Sequence, residues 1–170
     1  MLQPLLNLYT LLEDNSSKFT TKDLAPISFI DVYRSQPLQP ELYEYFELPA
    51  IFVDYTITGN GKNQPRSITM TLHILVDDMP DTSNISEQKN EGFNRFLYLL
   101  LIQEILEGSK LGKTTQLKFL NESSIDLPVA NYHTQSYQFD AYLADMIADA
   151  IQVKGQFERL NIYKSIVKNS

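Results

Sequence analysis

The chain has 170 residues, which suits one domain that buries its own hydrophobic core without disulfide or metal support. It contains no cysteine, so disulfides, thiolate metal sites and cysteine nucleophiles are excluded. The formal net charge is −7, and acidic chains repel phosphate backbones, so we expect no sequence-specific binding of nucleic acid. No stretch approaches the ~18 consecutive apolar residues of a membrane span.

The first predicted element is a short amphipathic helix over residues 3 to 13. Its apolar residues recur at helical spacing, and Pro4 is compatible because it falls in the first turn. No basic region and no small-residue cleavage site accompany them, so we expect a helix and not a signal peptide. The polar stretch from 15 to 22 predicts a loop.

A short strand and a long connector follow. Residues 27 to 33 are rich in β-formers and bounded by prolines, as in an edge strand. Residues 37 to 48 predict an extended connector, which holds the aromatic residues Tyr43, Tyr45 and Phe46. Aromatic residues outside regular elements are candidate interface anchors, and packing against a core edge is the alternative.

The strongest pattern in the chain lies between Pro49 and Val76. Two runs of alternating apolar and polar residues flank the cluster Gly59 to Arg66, which predicts two half-buried strands of a long β-hairpin with a projecting tip. The apolar face of such a hairpin must be covered. We expect a single long, mostly buried helix from Glu87 to Glu107 to cover it, with Asn84 and Glu87 as a capping pair and Gly108 as its stop.

The remainder predicts two further strands, at residues 115 to 120 and 134 to 143, separated by a long loop from 121 to 133. Residues 144 to 155 fit either a helix or a loop, and a closing strand is expected over 160 to 166. The whole chain is therefore predicted as a single α+β domain. Its mainly antiparallel sheet is built round the hairpin and packed against one long helix, with a short N-terminal helix.

Three constellations could carry chemistry. Gly61-Lys62 lacks the strand-to-helix setting of a phosphate loop, so a hairpin tip is the better interpretation. The aspartates 77, 78 and 81 have too few oxygens for a calcium loop and predict a solvated turn. A pair formed by His73 and His133, near Asp54 or Asp140, could do acid–base work. Nothing in the spacing requires the two to meet, so hydrogen-bonded histidines on the sheet face are the better interpretation.

The order of elements resembles that of phage neck proteins of the tail-terminator, or tail-completion, family. The residues that carry the resemblance are Ile30 to Gln36 followed by Phe46 to Tyr55, and it extends over most of the chain, from about Leu2 to Leu143. The sequence departs from that family in the longer connector at residues 37 to 48 and in its last 25 residues.

The resemblance implies a non-enzymatic virion subunit that forms a ring, typically a hexamer, with no cofactor or metal. Such a ring would be assembled in the host cytoplasm and would join the tail-tube protein to the head connector, with DNA passing through it. Heterologous contacts close rings of this kind. We expect them at the connector, the hairpin tip and the turn after the second hairpin strand; the residues are Tyr43, Tyr45, Phe46, Asn60, Lys62, Arg66, Asp77 and Asp78.

Two other functions remain open from the sequence. The first is a small-molecule- or peptide-binding module of a bacterial cell, with an apolar pocket between sheet and helix. The second is an enzyme that uses His73 or His133 with a nearby carboxylate.

Overall fold

The structure of the protein, a computed structural model, describes residues 1–39, 46–77, 82–125 and 130–147. In chain order its elements are α1 (Leu2–Asp14), α2 (Ser16–Thr20), β1 (Phe29–Val32), β2 (Ala50–Thr58), β3 (Arg66–Val76), α3 (Lys89–Gly92), α4 (Asn94–Leu106), β4 (Lys118–Ile125), β5 (Asn131–Ala141) and a 3-10 helix (Leu143–Met146).

The five strands form one sheet in the order β1-β2-β3-β5-β4. β2 and β3 pair antiparallel from Ala50 beside Leu75 to Thr58 beside Ser67. β5 pairs antiparallel with both β3 and β4, whereas β1 runs parallel to β2. The predicted class is therefore confirmed: the protein has an α+β fold with a mainly antiparallel sheet and an N-terminal helix.

One face of the sheet carries the main hydrophobic core, and α1, α2 and α4 pack against this face. Because strand side chains alternate between faces, the core residues of β2, β3 and β5 come from alternate positions along each strand. Its fully buried members from strands and helices include Ile51, Val53, Ile68, Met70, Leu72, Ile74, Tyr137, Leu8, Phe19 and Ile102. Each such side chain contributes about 1.5–3 kcal/mol relative to an exposed one.

The opposite face, which we call the open face, holds a smaller apolar cluster at one end. Ala50, Phe52, Leu75 and Tyr132 are buried there, and the residues packed on them come from strands and the connector. The rest of the face is rich in hydroxyl groups that bond to one another across strands, such as Thr71 to Ser136 at 3.1 Å.

The prediction of one helix from Glu87 to Glu107 is wrong. The segment divides at Phe93 into the single turn of α3 and the longer α4, and both begin after the proposed capping pair. Gly92, a poor helix former, lies at the division. α4 spans about 20 Å, less than the ~30 Å expected of the undivided helix.

Two polar stretches predicted as loops are regular elements. Residues 15 to 22 contain α2, which buries Phe19 against Tyr98 with ring centroids 5.8 Å apart. Residues 121 to 125 continue β4, beyond a bulge between Phe119 and Asn121. β4 is an edge strand whose side chains are mostly exposed, so it carries no alternating pattern.

Smaller differences concern the ends of the chain's strands. β5 runs from Asn131 to Ala141, so Leu143 belongs to the 3-10 helix and not to the apolar face of a strand. The predicted closing strand at 160 to 166 and residues 40 to 45 of the connector lie outside the described residues. The assignment of the whole chain to one domain stays a prediction.

Candidate functional site

The hairpin tip joins β2 to β3 and projects beyond the core. Its residues 59 to 64 are exposed, and Gly61 and Asn63 adopt left-handed backbone conformations with φ of 104° and 65°. The side-chain nitrogen of Asn60 donates a hydrogen bond to the Pro65 carbonyl at 3.0 Å, which ties the tip together. The predicted interface residue Asn60 thus shapes the tip, while Lys62 extends from it into solvent.

A groove of about 610 Å³ lies between the hairpin tip and the 3-10 helix. Lys62 and Arg66 line it from the tip, and Tyr142, Leu143 and Ile147 line it from the segment after β5. All three of the latter are exposed although large and apolar. The groove therefore combines a cationic side with an apolar side, and two predicted interface residues share it.

Asp77, another predicted interface residue, lies at the opposite end of the sheet. It follows Val76 directly at the end of β3, whereas Arg66 begins that strand. Eleven residues of β3 separate the two ends, which is a distance of about 35 Å at ~3.4 Å per residue. Asn60, Lys62 and Arg66 therefore lie at one end of β3, and Asp77 lies at the other.

Phe46 packs on the apolar cluster of the open face. Its ring lies 4.9 Å from that of Phe52 in an edge-on arrangement and 5.8 Å from that of Phe29. One of the three predicted aromatic anchors thus packs inside the fold. Tyr43, Tyr45 and Asp78 lie outside the described residues, so their interface role stays a prediction.

The two histidines do not share a site, because they lie on opposite faces of the sheet. Tyr33 and Tyr132 surround His73 on the open face. His133 lies on the helix-covered face, where its ring contacts Phe96 edge-on with centroids 6.1 Å apart. The hypothesis of a histidine pair is therefore wrong for this fold.

His73 forms the centre of an aromatic cluster that the sequence does not predict. Its ring stacks on Tyr33, and its Nδ1 atom is hydrogen-bonded to the Tyr132 hydroxyl at 2.5 Å. Burial lowers the pKa of His73, and the nearby carboxylate of Asp54 opposes that shift. Burial also raises the pKa of Tyr132, with a further contribution from Tyr33. At neutral pH the rings of His73 and Tyr132 are therefore uncharged.

Arg95 organises the corner where α4 meets the start of β5. It donates hydrogen bonds to Asn131 and to Thr82, while its buried Nε atom has no hydrogen-bond partner among the residues that the structure describes. The same corner holds His133, whose pKa is lowered by burial, raised by Glu122 and lowered by Arg95. Arg95 thus joins three separate segments and serves to position them.

Neither the phosphate-loop interpretation of Gly61-Lys62 nor the metal site at the aspartates gains support. Gly61-Lys62 lies in a strand-to-strand turn, where no helix N-terminus can hold a phosphate. No cluster of three histidine or acidic side chains that could hold a metal ion occurs within residues 1–39, 46–77, 82–125 and 130–147. Asp78 and Asp81 fall outside these ranges.

The exposed stripe of α4 is a feature that the sequence conceals. Phe93, the residue that precedes α4, lies on the same side as Phe96 and Leu100 of the helix, and the three are 46%, 44% and 62% exposed. An apolar residue in a wide apolar pattern predicts burial, so the three were expected in the core. Only the way α4 packs on the sheet separates them from buried neighbours such as Ile102.

Comparison with known proteins gives no match, either to a protein-family model or to a curated protein. In the part of the chain that the structure describes, no helix has the length and apolar character needed to cross a membrane.

Proposed function

We propose that the protein is a non-enzymatic structural subunit of a phage or prophage particle. In this role, copies of the chain form a ring at the neck, between the tail tube and the head connector. The proposal combines the resemblance of the sequence to tail-terminator proteins with the distribution of candidate contact surfaces on the fold.

The observation that carries the proposal is the position of Arg66 and Asp77 at opposite ends of β3. A two-fold dimer uses the same patch on both copies, whereas a ring joins two different patches in a head-to-tail contact. The tip surface and the surface at Asp77 are different patches separated by about 35 Å, the length of an eleven-residue strand. This arrangement fits a ring contact.

The charges of the two surfaces are complementary. The tip from Gly59 to Arg66 contains two basic residues and no acidic one, whereas β3 is followed by Asp77 and Asp78. Lys62 and Arg66 line a groove whose other side is apolar, so a partner surface would gain both ionic contacts and apolar burial. Electrostatic complementarity of this kind fixes the register of a contact.

A charge-swap experiment tests this contact. We expect Lys62→Glu/Arg66→Glu, and separately Asp77→Lys/Asp78→Lys, to weaken assembly by at least about tenfold, because like charges then face each other. A chain with all four substitutions should assemble again, since the exchanged charges attract. Sedimentation velocity over a range of concentrations measures the assembly of all three variants.

Lys22→Glu/Lys110→Glu provides a matched control, because it makes the same change in net charge at two exposed lysines that do not line the groove. This control should assemble like the unaltered chain. If the tip variant and the Asp77/Asp78 variant also assemble normally, the head-to-tail contact is wrong.

The groove itself favours a second candidate function. Its volume of about 610 Å³ lies within the range of about 300–1,000 Å³ that small-molecule sites occupy. A binding module would use the groove at the tip, in place of the pocket between sheet and helix that the sequence suggests. A thermal-shift screen of anionic amphipathic compounds would detect such binding. A repeat of the screen with the Leu143→Asp variant would assign the binding to the groove.

A further inference from the structure

The exposed stripe of α4, formed by Phe93, Phe96 and Leu100, is too apolar to be an ordinary helix surface. A helix that is apolar on every side is normally buried on every side. α4 covers the sheet with residues such as Ile102 and still presents three large apolar side chains to solvent. The stripe is therefore a surface that another segment can cover.

An acidic rim borders the stripe from Leu100 onwards, whereas the guanidinium of Arg95 lies over the Phe96 ring, 5.4 Å from its centroid. Glu107 continues the row from Phe96 and Leu100 at helical spacing, and it accepts a hydrogen bond from Gln103. Glu122 approaches from β4, because the side-chain nitrogen of Gln135 donates both to its carboxylate at 2.7 Å and to the Leu99 carbonyl at 2.9 Å.

The negative charge of the rim indicates which residue types a covering segment should carry. Glu107 and Glu122 both raise the pKa of Tyr137, so the two carboxylates lie close to one buried ring. A segment that covers the stripe should carry apolar residues for the phenylalanines and leucine, together with basic residues for the rim.

Residues 148 to 170 of this chain have that composition. The segment contains four basic residues and two acidic residues, so its net charge is +2. Because the whole chain has a net charge of −7, residues 1–147 have a net charge of −9. Its large apolar residues are Ile151, Val153, Phe157, Leu160, Ile162, Tyr163, Ile166 and Val167. A basic, apolar segment thus follows an acidic body that has an uncovered apolar stripe.

We propose that residues 148 to 170 dock on the α4 stripe of their own chain. The described part of the chain stops at Ile147, and 23 extended residues span up to about 75 Å. That reach exceeds the ~20 Å length of α4 severalfold. The apolar side chains of the segment cover Phe96 and Leu100, and its lysines and arginine face Glu107 and Glu122.

Thiol protection in the full chain tests this docking. The chain has no cysteine, so Leu100→Cys introduces a unique thiol on the stripe, and Thr56→Cys introduces a matched one on the exposed part of β2. The rate of maleimide labelling is measured with the natural segment and with Lys154→Glu/Arg159→Glu/Lys164→Glu. We expect the reversed segment to raise the rate at Leu100→Cys about tenfold, which corresponds to the loss of a modest contact.

The rate at Thr56→Cys should be the same with both segments. Reversal of the rim by Glu107→Lys/Glu122→Lys should expose the Leu100→Cys thiol in the same way, which gives a second test that leaves the segment intact. Thermal unfolding identifies the variants that keep the fold. Equal rates at Leu100→Cys with natural and reversed segments would overturn the proposal, as would protection that disappears on dilution, because a second copy would then supply the cover.

Discussion

The imidazole ring of His73 stacks on the ring of Tyr33, with centroids 3.8 Å apart and planes inclined by 6°. Tyr33 follows β1, and its backbone nitrogen donates to the Val53 carbonyl at 2.9 Å, so the stack joins the edge of the sheet to its centre. Burial lowers the pKa of His73, so the imidazole ring of this stack is neutral near pH 7. Protonation of His73 places a charge in this half-buried cluster.

The first prediction concerns pH. We expect the free energy of unfolding to fall as pH decreases from 7.5 towards 5.5. The unfolded histidines gain protons near their ordinary pKa of ~6.5, whereas burial holds the pKa of folded His73 and His133 lower. The unfolded state then binds more protons, so acid favours it. Urea denaturation at several pH values measures the slope.

His73→Gln/His133→Gln is the matched variant for this slope, because it removes both titrating groups and keeps polar side chains. It should flatten the dependence over this range, in which ordinary carboxylates stay ionised. An unchanged slope in the double variant would assign the pH dependence to other groups.

The second prediction concerns Gln135, which is fully buried although polar. It donates to Leu99 and Glu122 and accepts a hydrogen bond from the Tyr137 hydroxyl at 2.9 Å. Gln135→Ala leaves that buried hydroxyl without a partner, so we expect a loss of about 1–3 kcal/mol in the free energy of unfolding. Chemical denaturation measures it.

Gln138→Ala is the control for this loss, because Gln138 lies on the same strand but is exposed and bonds only to Ser67 among the contacts described. Its effect should stay within about 0.5 kcal/mol. Equal losses in the two variants would show that Gln135 does not couple the helix to the sheet.

The third prediction concerns the short helix α2. Phe19 is fully buried against Tyr98, so Phe19→Ala should reduce the free energy of unfolding by about 3–5 kcal/mol. Ile85→Ala serves as the control at a residue that is 86% exposed, where a change within about 0.5 kcal/mol is expected. A loss at Phe19 no larger than that at Ile85 would mean that α2 is not part of the core.

The sequence predicts the centre of the sheet well because that region has one buried face and one less buried face. Ile68, Met70, Leu72 and Ile74 alternate with polar residues, and all four are fully buried in β3. Phe19 and residues 121 to 125, the second part of β4, escaped prediction for the opposite reason. A single buried residue in α2 and an exposed edge strand both lack a periodic signal.

Long-range packing accounts for the rest of the differences. The parallel pairing of β1 with β2 brings Tyr33 to His73, and no local pattern encodes that meeting. Likewise, Leu100 and Ile102 are both apolar residues of α4, yet only the placement of the helix on the sheet exposes the former. The hairpin tip was predicted as a contact surface, but its groove depends on Tyr142 and Leu143, which a predicted strand had placed inside the sheet.

The measurement that tests the proposed function most directly is the mass of the unaltered protein in solution at high concentration. Light scattering combined with size-exclusion chromatography gives this mass, and negative-stain images give the shape. The proposal predicts a discrete closed ring whose mass is a whole multiple of the 19.5 kDa chain, six in the case of a hexamer. A species that remains at 19.5 kDa at every concentration, without rings in the images, would contradict it.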